Sequence, residues 1–314
     1  MYRIGIDLGG TNIAVGLVDD SPKVIADASC PTDAGRPYQE IVKDMADLCN
    51  KVMAEGGATL NDIKGIGIGS PGSIDSANGV VLYANNLGWD HVPLRAELGK
   101  YFPNIPIGVE NDANAAAYGE YVVNGNGSDS FVAITLGTGI GGGIVLDQKI
   151  YRGHNGSGGE LGHTTLVFGG EPCTCGKPGC WEAYAAVTAL IRQTKAAMEA
   201  NPDSLMVKLA EDAGKVSGRT AFDAAKQGDN AAQQVVDTYI RYVAEGIVNV
   251  INIFQPETLV IGGGISKEGD YLLKPIQEYV NTYTYGGVEP RTKLMIATLF
   301  NDAGIIGAAL ASTL

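Results

Sequence analysis

The sequence predicts an α/β protein whose sheets are covered by helices. Two observations carry that expectation. Short apolar runs that end in glycine turns alternate with stretches of helical spacing along the whole chain. Glycine accounts for 44 of 314 residues, about twice the usual share of roughly 7%, so many turns are tight or approach a ligand closely. A chain of this length can bury a sizeable core, and two domains are expected.

The elements follow in order. IGIDLGGTNIAVGLV (4–18) reads as strand, glycine turn and strand, a β-hairpin that VIADAS (24–29) extends. From Tyr38 to Met53, apolar residues at Ile41, Met45, Leu48 and Val52 have helical spacing. IKGIGIGSPG (63–72) is a buried strand running into a tight turn, PIGVE (106–110) is another strand, and Ala113 to Tyr121 turns helical. VAITLGTGIGGGIV (132–145) is a second hairpin. Val236, Ile240, Val243, Ile247, Val250 and Phe254 mark one long amphipathic helix. TLVIGGG (258–264) is a strand entering a third glycine turn, KLMIATL (293–299) a late strand, and Asp302 to Leu310 a closing helix. No linker, low-complexity tract or block of charge interrupts the series.

Composition excludes several classes of function. The chain carries 22 Lys and Arg against 35 Asp and Glu, a net charge of −13. Nucleic acids and anionic membranes are recognised by basic patches, so neither is an expected partner. An anionic substrate held by backbone N–H groups stays possible. With 45% apolar and 18% charged residues the chain suits a globular protein, not a disordered one. The N-terminus enters a strand at once, with no leader, and no apolar run is long enough to span a bilayer. A cytoplasmic protein is expected.

The two hairpins share one plan. Aligning Leu8 with Leu136 sets Asp7 opposite Thr135 and Gly9 opposite Gly137. A glycine turn exposes consecutive N–H groups that no side chain blocks, which makes a nest for an anion. Two such turns, one preceded by an acid, point to phosphate. A site that transfers a phosphoryl group needs phosphate cradles, a carboxylate to anchor the metal and a base beside the acceptor hydroxyl. Asp7, ahead of Gly9-Gly10-Thr11, is placed to meet Mg²⁺ through water, since Mg²⁺ keeps most of its own waters. Thr138 and Gly139 can hold the other side of a triphosphate. For the base, GVENDANAAAYGE (108–120) places Asn111 and Asp112 where a strand ends and a helix begins. There Asp112 can cap the helix, worth about 1 kcal/mol, or face a ligand at the strand's carboxyl end.

Three of the five cysteines lie in HTTLVFGGEPCTCGKPGCWE, residues 163–182. Cys173-x-Cys175 is too short for the redox Cys-x-x-Cys motif, and a reducing compartment favours ligation over disulfides. His163, Cys173, Cys175 and Cys180 supply one imidazole and three thiolates, a soft tetrahedral set suited to Zn²⁺. Four protein ligands leave no open position, so such a zinc is structural. Buried thiols beside a loop are the alternative. Cys30 and Cys49 read as core packing. Glu160, His163 and Glu182 bracket the cluster, so folding it draws two carboxylates and an imidazole together. Such a pocket suits the hydroxyls of a sugar; the plainer reading is solvated charge beside a structural metal.

Taken together, DLGGT (7–11), ENDANAAA (110–117), LGTGIGGG (136–143), the ExxH at 160–163 with CxCGxxGC at 173–180, and IGGG (261–264) resemble the sugar kinases of the ROK family. That family joins repressors, open reading frames and kinases. The resemblance runs from residue 5 to the final helix, and the cysteine motif is its most specific part. It implies an actin-like, ribonuclease H-like ATPase fold of two domains with a cleft between them. One would be a small domain of 1–111 with 299–314, the other a large domain of 112–298 carrying the zinc loop. It implies Asp112 as base for the sugar hydroxyl, with sugar contacts from Gly72, Asn86, Asn111, Glu160, His163 and Glu182. ATP and Mg²⁺ would face Asp7, Gly9, Gly10, Thr11, Asn12, Gly137, Thr138 and Gly139, with Gly263 and Gly264 near the nucleoside. Zn²⁺ would sit on His163, Cys173, Cys175 and Cys180. With NNLGW (85–89), the set most resembles the family's bacterial members that phosphorylate glucose on carbon 6. A homodimer or larger homo-oligomer is expected on the same ground. N-acetylmannosamine, fructose or allose as acceptor, and polyphosphate as donor, stay open. A sugar-responsive repressor would need a helix-turn-helix ahead of a hairpin that here begins at residue 4. A filament-forming actin relative would not need the zinc and sugar constellation.

Overall fold

A computed structural model describes residues 1–312 other than 126, 288 and 290. The chain forms two compact units. One comprises Met1–Val132, Gly143–Gly159 and Thr298–Leu314, the other Ala133–Gly142 and Glu160–Ala297.

In the first unit, β1 (Tyr2–Leu8), β2 (Asn12–Asp19) and β3 (Val24–Pro31) form an antiparallel meander. After helix α1 (Tyr38–Glu55), strand β4 (Ile63–Ser70) returns parallel to β1. A small antiparallel sheet of β5 (Ser73–Asp75), β6 (Val80–Ala84) and β7 (Trp89–Val92), with helix α2 (Leu94–Gly99), precedes β8 (Ile107–Asn111). The main sheet has the order β3-β2-β1-β4-β8, and α3 (Asp112–Asn124) follows β8 directly. The small sheet was not anticipated, because its strands are too short to show a period.

Alternation along β1 divides the labour of its two faces. Ile4, Ile6 and Leu8 join one core with Ile41, Met45 and Val52 of α1. Gly5 and Asp7 face the other way, towards the C-terminal helix Asp302–Ala311. That helix packs so closely that β-carbons at Gly5 and Gly67 would overlap the carbonyls of Ile305 and Ala308. Its Gly307 in turn abuts the Ala115 carbonyl of α3. This packing explains why α3 belongs to the first unit, whereas a boundary at 111/112 would have sent it to the other domain.

In the second sheet the order is β11-β10-β9-β12-β13, from β9 (Ser130–Leu136), β10 (Ile140–Leu146), β11 (Lys149–Ile150), β12 (Thr258–Gly262) and β13 (Lys293–Ile296). The chain passes from one unit to the other within β9 and within β10. Helices α4 (Glu182–Ala185), α5 (Val187–Ala200), α6 (Leu205–Asp212), α7 (Thr220–Ala225), α8 (Asn230–Phe254) and α9 (Asp270–Tyr283) complete the second unit. The C-terminal helix is therefore α10. The apolar stripe of α8 is buried as its spacing predicts, from Val236 through Val250, with Phe254 half-buried at its end. The late strand is shorter than expected: after Ala297 the N–H groups of Thr298 and Leu299 donate to the buried Glu120 carboxylate (3.2 and 2.9 Å), which draws the chain off the sheet edge. Among the described residues no helix is long and apolar enough to cross a membrane.

Candidate functional site

Three parallel strands of the first unit end side by side. Asp7 lies opposite Gly69, Gly69 opposite Glu110, and Ser70 opposite Asn111. The carboxyl ends of β1, β4 and β8 thus deliver Asp7, Asn111 and Asp112 to one edge, where open α/β sheets bind ligands. Gly72 joins them, its carbonyl accepting from Asn111 Nδ2 at 3.2 Å. Its φ of +95° and the Tyr83 carbonyl pressed against it admit only glycine. The first glycine turn closes beside this edge through Gly9 N–H donating to Asn12 O (2.8 Å). A β-carbon on Gly10 would lie 3.2 Å from that of Asn86, an exposed residue.

The capping role considered for Asp112 falls to its neighbour. Asn111 caps α3, its Oδ1 accepting from Asn114 N–H at 3.1 Å. Asp112 is the first helical residue, and its Oδ1 accepts the Ala113 N–H of the first turn at 2.8 Å. Burial raises its pKa, partly offset by the amides of Ala113 and Asp112 and by the Asn111 side chain. Burial, and then the neighbouring charge of Asp112, pushes Asp7 from 3.8 up to about 6. No basic side chain among the described residues relieves either carboxyl. Two crowded acids without a counter-ion are a fit place for a divalent cation, which would favour their charged forms. Asp7 is seated by Gly304 in the first turn of α10, where a β-carbon would come within 2.6 Å of Asp7 Oδ2.

Beneath this edge lies a charge pair that no motif announces. Glu110 is buried, and Arg152 Nε donates to its Oε2 at 2.6 Å. Its Oε1 accepts from Asn111 N–H (3.0 Å) and Asn114 Nδ2 (3.2 Å). One carboxylate therefore ties the start of α3 to the loop after β11.

In the second unit the four expected metal ligands converge. Their donor atoms all lie within 4.8 Å of one another. His163 Nδ1 is 3.6 Å from Cys173 Sγ, and Cys175 Sγ is 3.6 Å from Cys180 Sγ. A tetrahedron with Zn–S near 2.3 Å and Zn–N near 2.1 Å has edges of about 3.5–3.8 Å, so the set fits zinc. Without a cation, burial first and then the other thiols push Cys180 up to about 12, whereas the Lys177 backbone N–H holds Cys175 below the usual thiol range. Between Cys180 and Glu182, Trp181 is fully buried and donates from Nε1 to Tyr242 O (2.8 Å) of α8. Gly246 clears the space for its indole.

Glu182 leaves that anchor towards the second glycine turn. Its Oε2 accepts the Ile140 N–H at 2.9 Å, and Thr174 Oγ1 donates to its Oε1 at 3.3 Å. A β-carbon at Gly139 would overlap this carboxylate. Gly162, between Glu160 and His163, is pressed on the Ile140 carbonyl, which brings the Leu161–His163 turn to the same place. Glu160 is exposed and His163 half-buried. Gly263 (φ +89°) sits against the Leu136 carbonyl just ahead of the turn, while Gly264 faces open space. The second unit thus gathers Gly137, Thr138, Gly139, Glu160, His163, Glu182 and Gly263 around one hairpin. The first gathers Asp7, Gly9–Asn12, Gly72, Asn86, Asn111 and Asp112.

The profile of the ROK family matches residues 3–313. This chain belongs to the ROK family. A glucokinase of Halalkalibacterium halodurans is 38% identical over 308 residues, covering 98% of this chain and 93% of that protein. A glucokinase of Thermotoga maritima is 39% identical over 308 residues, covering 98% and 95%. Among solved structures, a ROK family glucokinase from Streptomyces griseus in complex with glucose and AMPPNP superposes with a TM-score of 0.81, at 35% identity and 98% of each chain. The fold is the actin-like ATPase fold of the ROK sugar kinases.

Several functional neighbours escape sequence reasoning. Glu110 stands inside ENDANAAA, yet only burial shows that it organises the residues around it. Arg152 and Gly304 lie outside every motif of the ROK resemblance, and no local signal marks them.

Proposed function

We propose that the chain transfers the γ-phosphoryl group of ATP to the carbon-6 hydroxyl of glucose, giving glucose 6-phosphate and ADP, with Asp112 as general base. The observation that carries the reading is the start of α3: Asn111 supplies the N-cap, and the half-buried Asp112 stands at the carboxyl end of β8 beside Asp7, its pKa raised by burial. Support comes also from the glucokinase names of similar proteins and from the glucose and AMPPNP bound to the Streptomyces griseus relative.

In this mechanism Asn111, Gly72, Asn86, Glu160, His163 and Glu182 bind the sugar hydroxyls. Asp112 accepts the proton of the attacking hydroxyl as its oxygen bonds to the γ-phosphorus, and the bond from that phosphorus to the bridging oxygen of ADP breaks in line. A base of this kind contributes about 10²–10⁴-fold; orientation of the reactants supplies much of the remainder. Its raised pKa makes Asp112 a better proton acceptor than an ordinary carboxylate, provided it is ionised. The turns at 9–12 and 137–139 hold the phosphates by backbone N–H groups, and Gly263 and Gly264 border the nucleoside. Asp7 would hold Mg²⁺ through water, and the ion supplies neutralisation of triphosphate charge. His163, Cys173, Cys175 and Cys180 would hold a structural Zn²⁺ that fixes the loop carrying Glu182. A homo-oligomer in the cytoplasm belongs to the same reading.

The test is ADP release by zinc-replete protein with ATP–Mg²⁺, with and without glucose. Glucose-dependent release is expected, and Asp112→Asn should lower turnover by about 10²–10⁴-fold while leaving glucose affinity nearly unchanged. Release with another hexose alone would move the acceptor; nearly intact turnover in Asp112→Asn would remove the base from Asp112.

A further inference from the structure

Both phosphate-facing turns have their carbonyl oxygens tied down by residues outside the glycine motifs. In the second unit, Val187 N–H donates to Gly137 O at 2.9 Å, and Thr188 Oγ1 donates to Thr138 O at 2.9 Å. In the first, Thr32 Oγ1 donates to Gly9 O at 2.7 Å and Thr32 N–H to Thr11 O at 2.8 Å. The two hydroxyls come from 50 and 23 residues away in sequence, respectively.

A trans peptide is planar, so a carbonyl and the N–H that follows it point in opposite directions. Holding Gly137 O and Thr138 O against the start of α5 therefore aims the N–H groups of Thr138 and Gly139 away from that helix, side by side. Ile140 N–H is meanwhile drawn to Glu182. By the same geometry, holding Gly9 O on Thr32 aims Gly10 N–H away from Thr32. A peptide next to glycine rotates easily, because glycine accepts φ of either sign. Without a tether, the Thr138–Gly139 peptide could present its carbonyl where the phosphates need a donor.

We propose that Thr188 and Thr32 are positioning residues that aim the amides of Gly139 and Gly10 at the phosphates of a bound nucleoside triphosphate. This rests on the ATP reading above. In the second unit it also joins the metal loop to the nucleotide turn, since the strand of chain from Cys180 through Trp181 and Glu182 leads straight to Thr188. Thr188 is exposed, so changing it leaves the core alone, whereas Thr32 is fully buried. The test therefore falls on Thr188.

Binding of a non-hydrolysable ATP analogue with Mg²⁺ is measured by calorimetry for the full chain, Thr188→Val and Thr188→Ser. Losing one net hydrogen bond should weaken the analogue roughly 3- to 10-fold in Thr188→Val. Thr188→Ser, which keeps the hydroxyl, should stay within about twofold of the parent. Glucose affinity and melting temperature should not move, and in turnover KM for ATP should rise while KM for glucose stays put. Equal analogue affinity in the parent and Thr188→Val would overturn the inference, as would a parallel loss of glucose affinity and thermal stability. A parent chain that does not bind the analogue would overturn the ATP reading, and this inference with it.

Discussion

Replacing Asp7 by Asn should stabilise the ligand-free protein while destroying its use of ATP–Mg²⁺. In the folded state Asp7 titrates at about 6 instead of 3.8, because burial and then the charge of Asp112 oppose its ionisation. That rise amounts to roughly 3 kcal/mol at 1.36 kcal/mol per tenfold. Asp7 is only half-buried, so solvent screening reduces the figure to roughly 1–3 kcal/mol. A raised carboxyl binds its proton more tightly in the folded than in the unfolded chain, so stability falls as pH rises from about 4 to about 6. Above that window the whole penalty remains. Asn carries no charge, and Asp7→Asn should melt a few degrees above the parent at pH 8. The gap should close towards pH 4. The assay is thermal unfolding across that range in magnesium-free buffer without chelator, which leaves the cysteine loop undisturbed. A gap that does not change with pH, or a variant less stable at pH 8, would refute the reasoning. Adding Mg²⁺ with an ATP analogue should stabilise the parent more than the variant, because the cation compensates the charge that Asn lacks.

Further outcomes follow from the geometry. Arg152→Met removes the partner of the buried Glu110; with Arg152 itself 35% exposed, a loss of roughly 1–3 kcal/mol is expected in denaturant unfolding. Glu110→Gln combined with Arg152→Met should recover part of it. Cys175→Ser should lower zinc content, measured by metal analysis after dialysis, and weaken glucose binding more than it changes the first unit's packing. Because Cys180 must lose a proton held up to about 12 to bind a cation, zinc retention should weaken as pH falls. Zinc content equal to the parent's in Cys175→Ser would remove that thiol from the ligand set.

Local chemistry was largely legible. The hairpins at 4–18 and 132–145, the helices expected over 38–53 and 236–254 and the clustering of His163, Cys173, Cys175 and Cys180 follow from period, glycine turns and ligand type, which are properties of short segments. Other features were not legible. The short strands 73–92 carry too few residues to show alternation, and the strand at 293–299 ends early because Glu120, far away in sequence, takes its last N–H groups. The start of α3 shows the limit most clearly. Asn and Asp are both good caps, so sequence could not say which of Asn111 and Asp112 would do that work.

By itself, then, the sequence determined which residue types stand at each turn and strand end, and with them the chemistry on offer: thiolates for a soft metal, glycine turns for phosphate, a carboxylate for a proton. Tertiary structure decided how those groups are aimed and charged. The pKa of Asp7 depends on burial and on Asp112, which reaches it across strands β1, β4 and β8. The Thr138 carbonyl is held by a hydroxyl 50 residues away. Local pattern reports what a segment can form; orientation and electrostatics are set by neighbours that only the folded chain brings within a few ångströms.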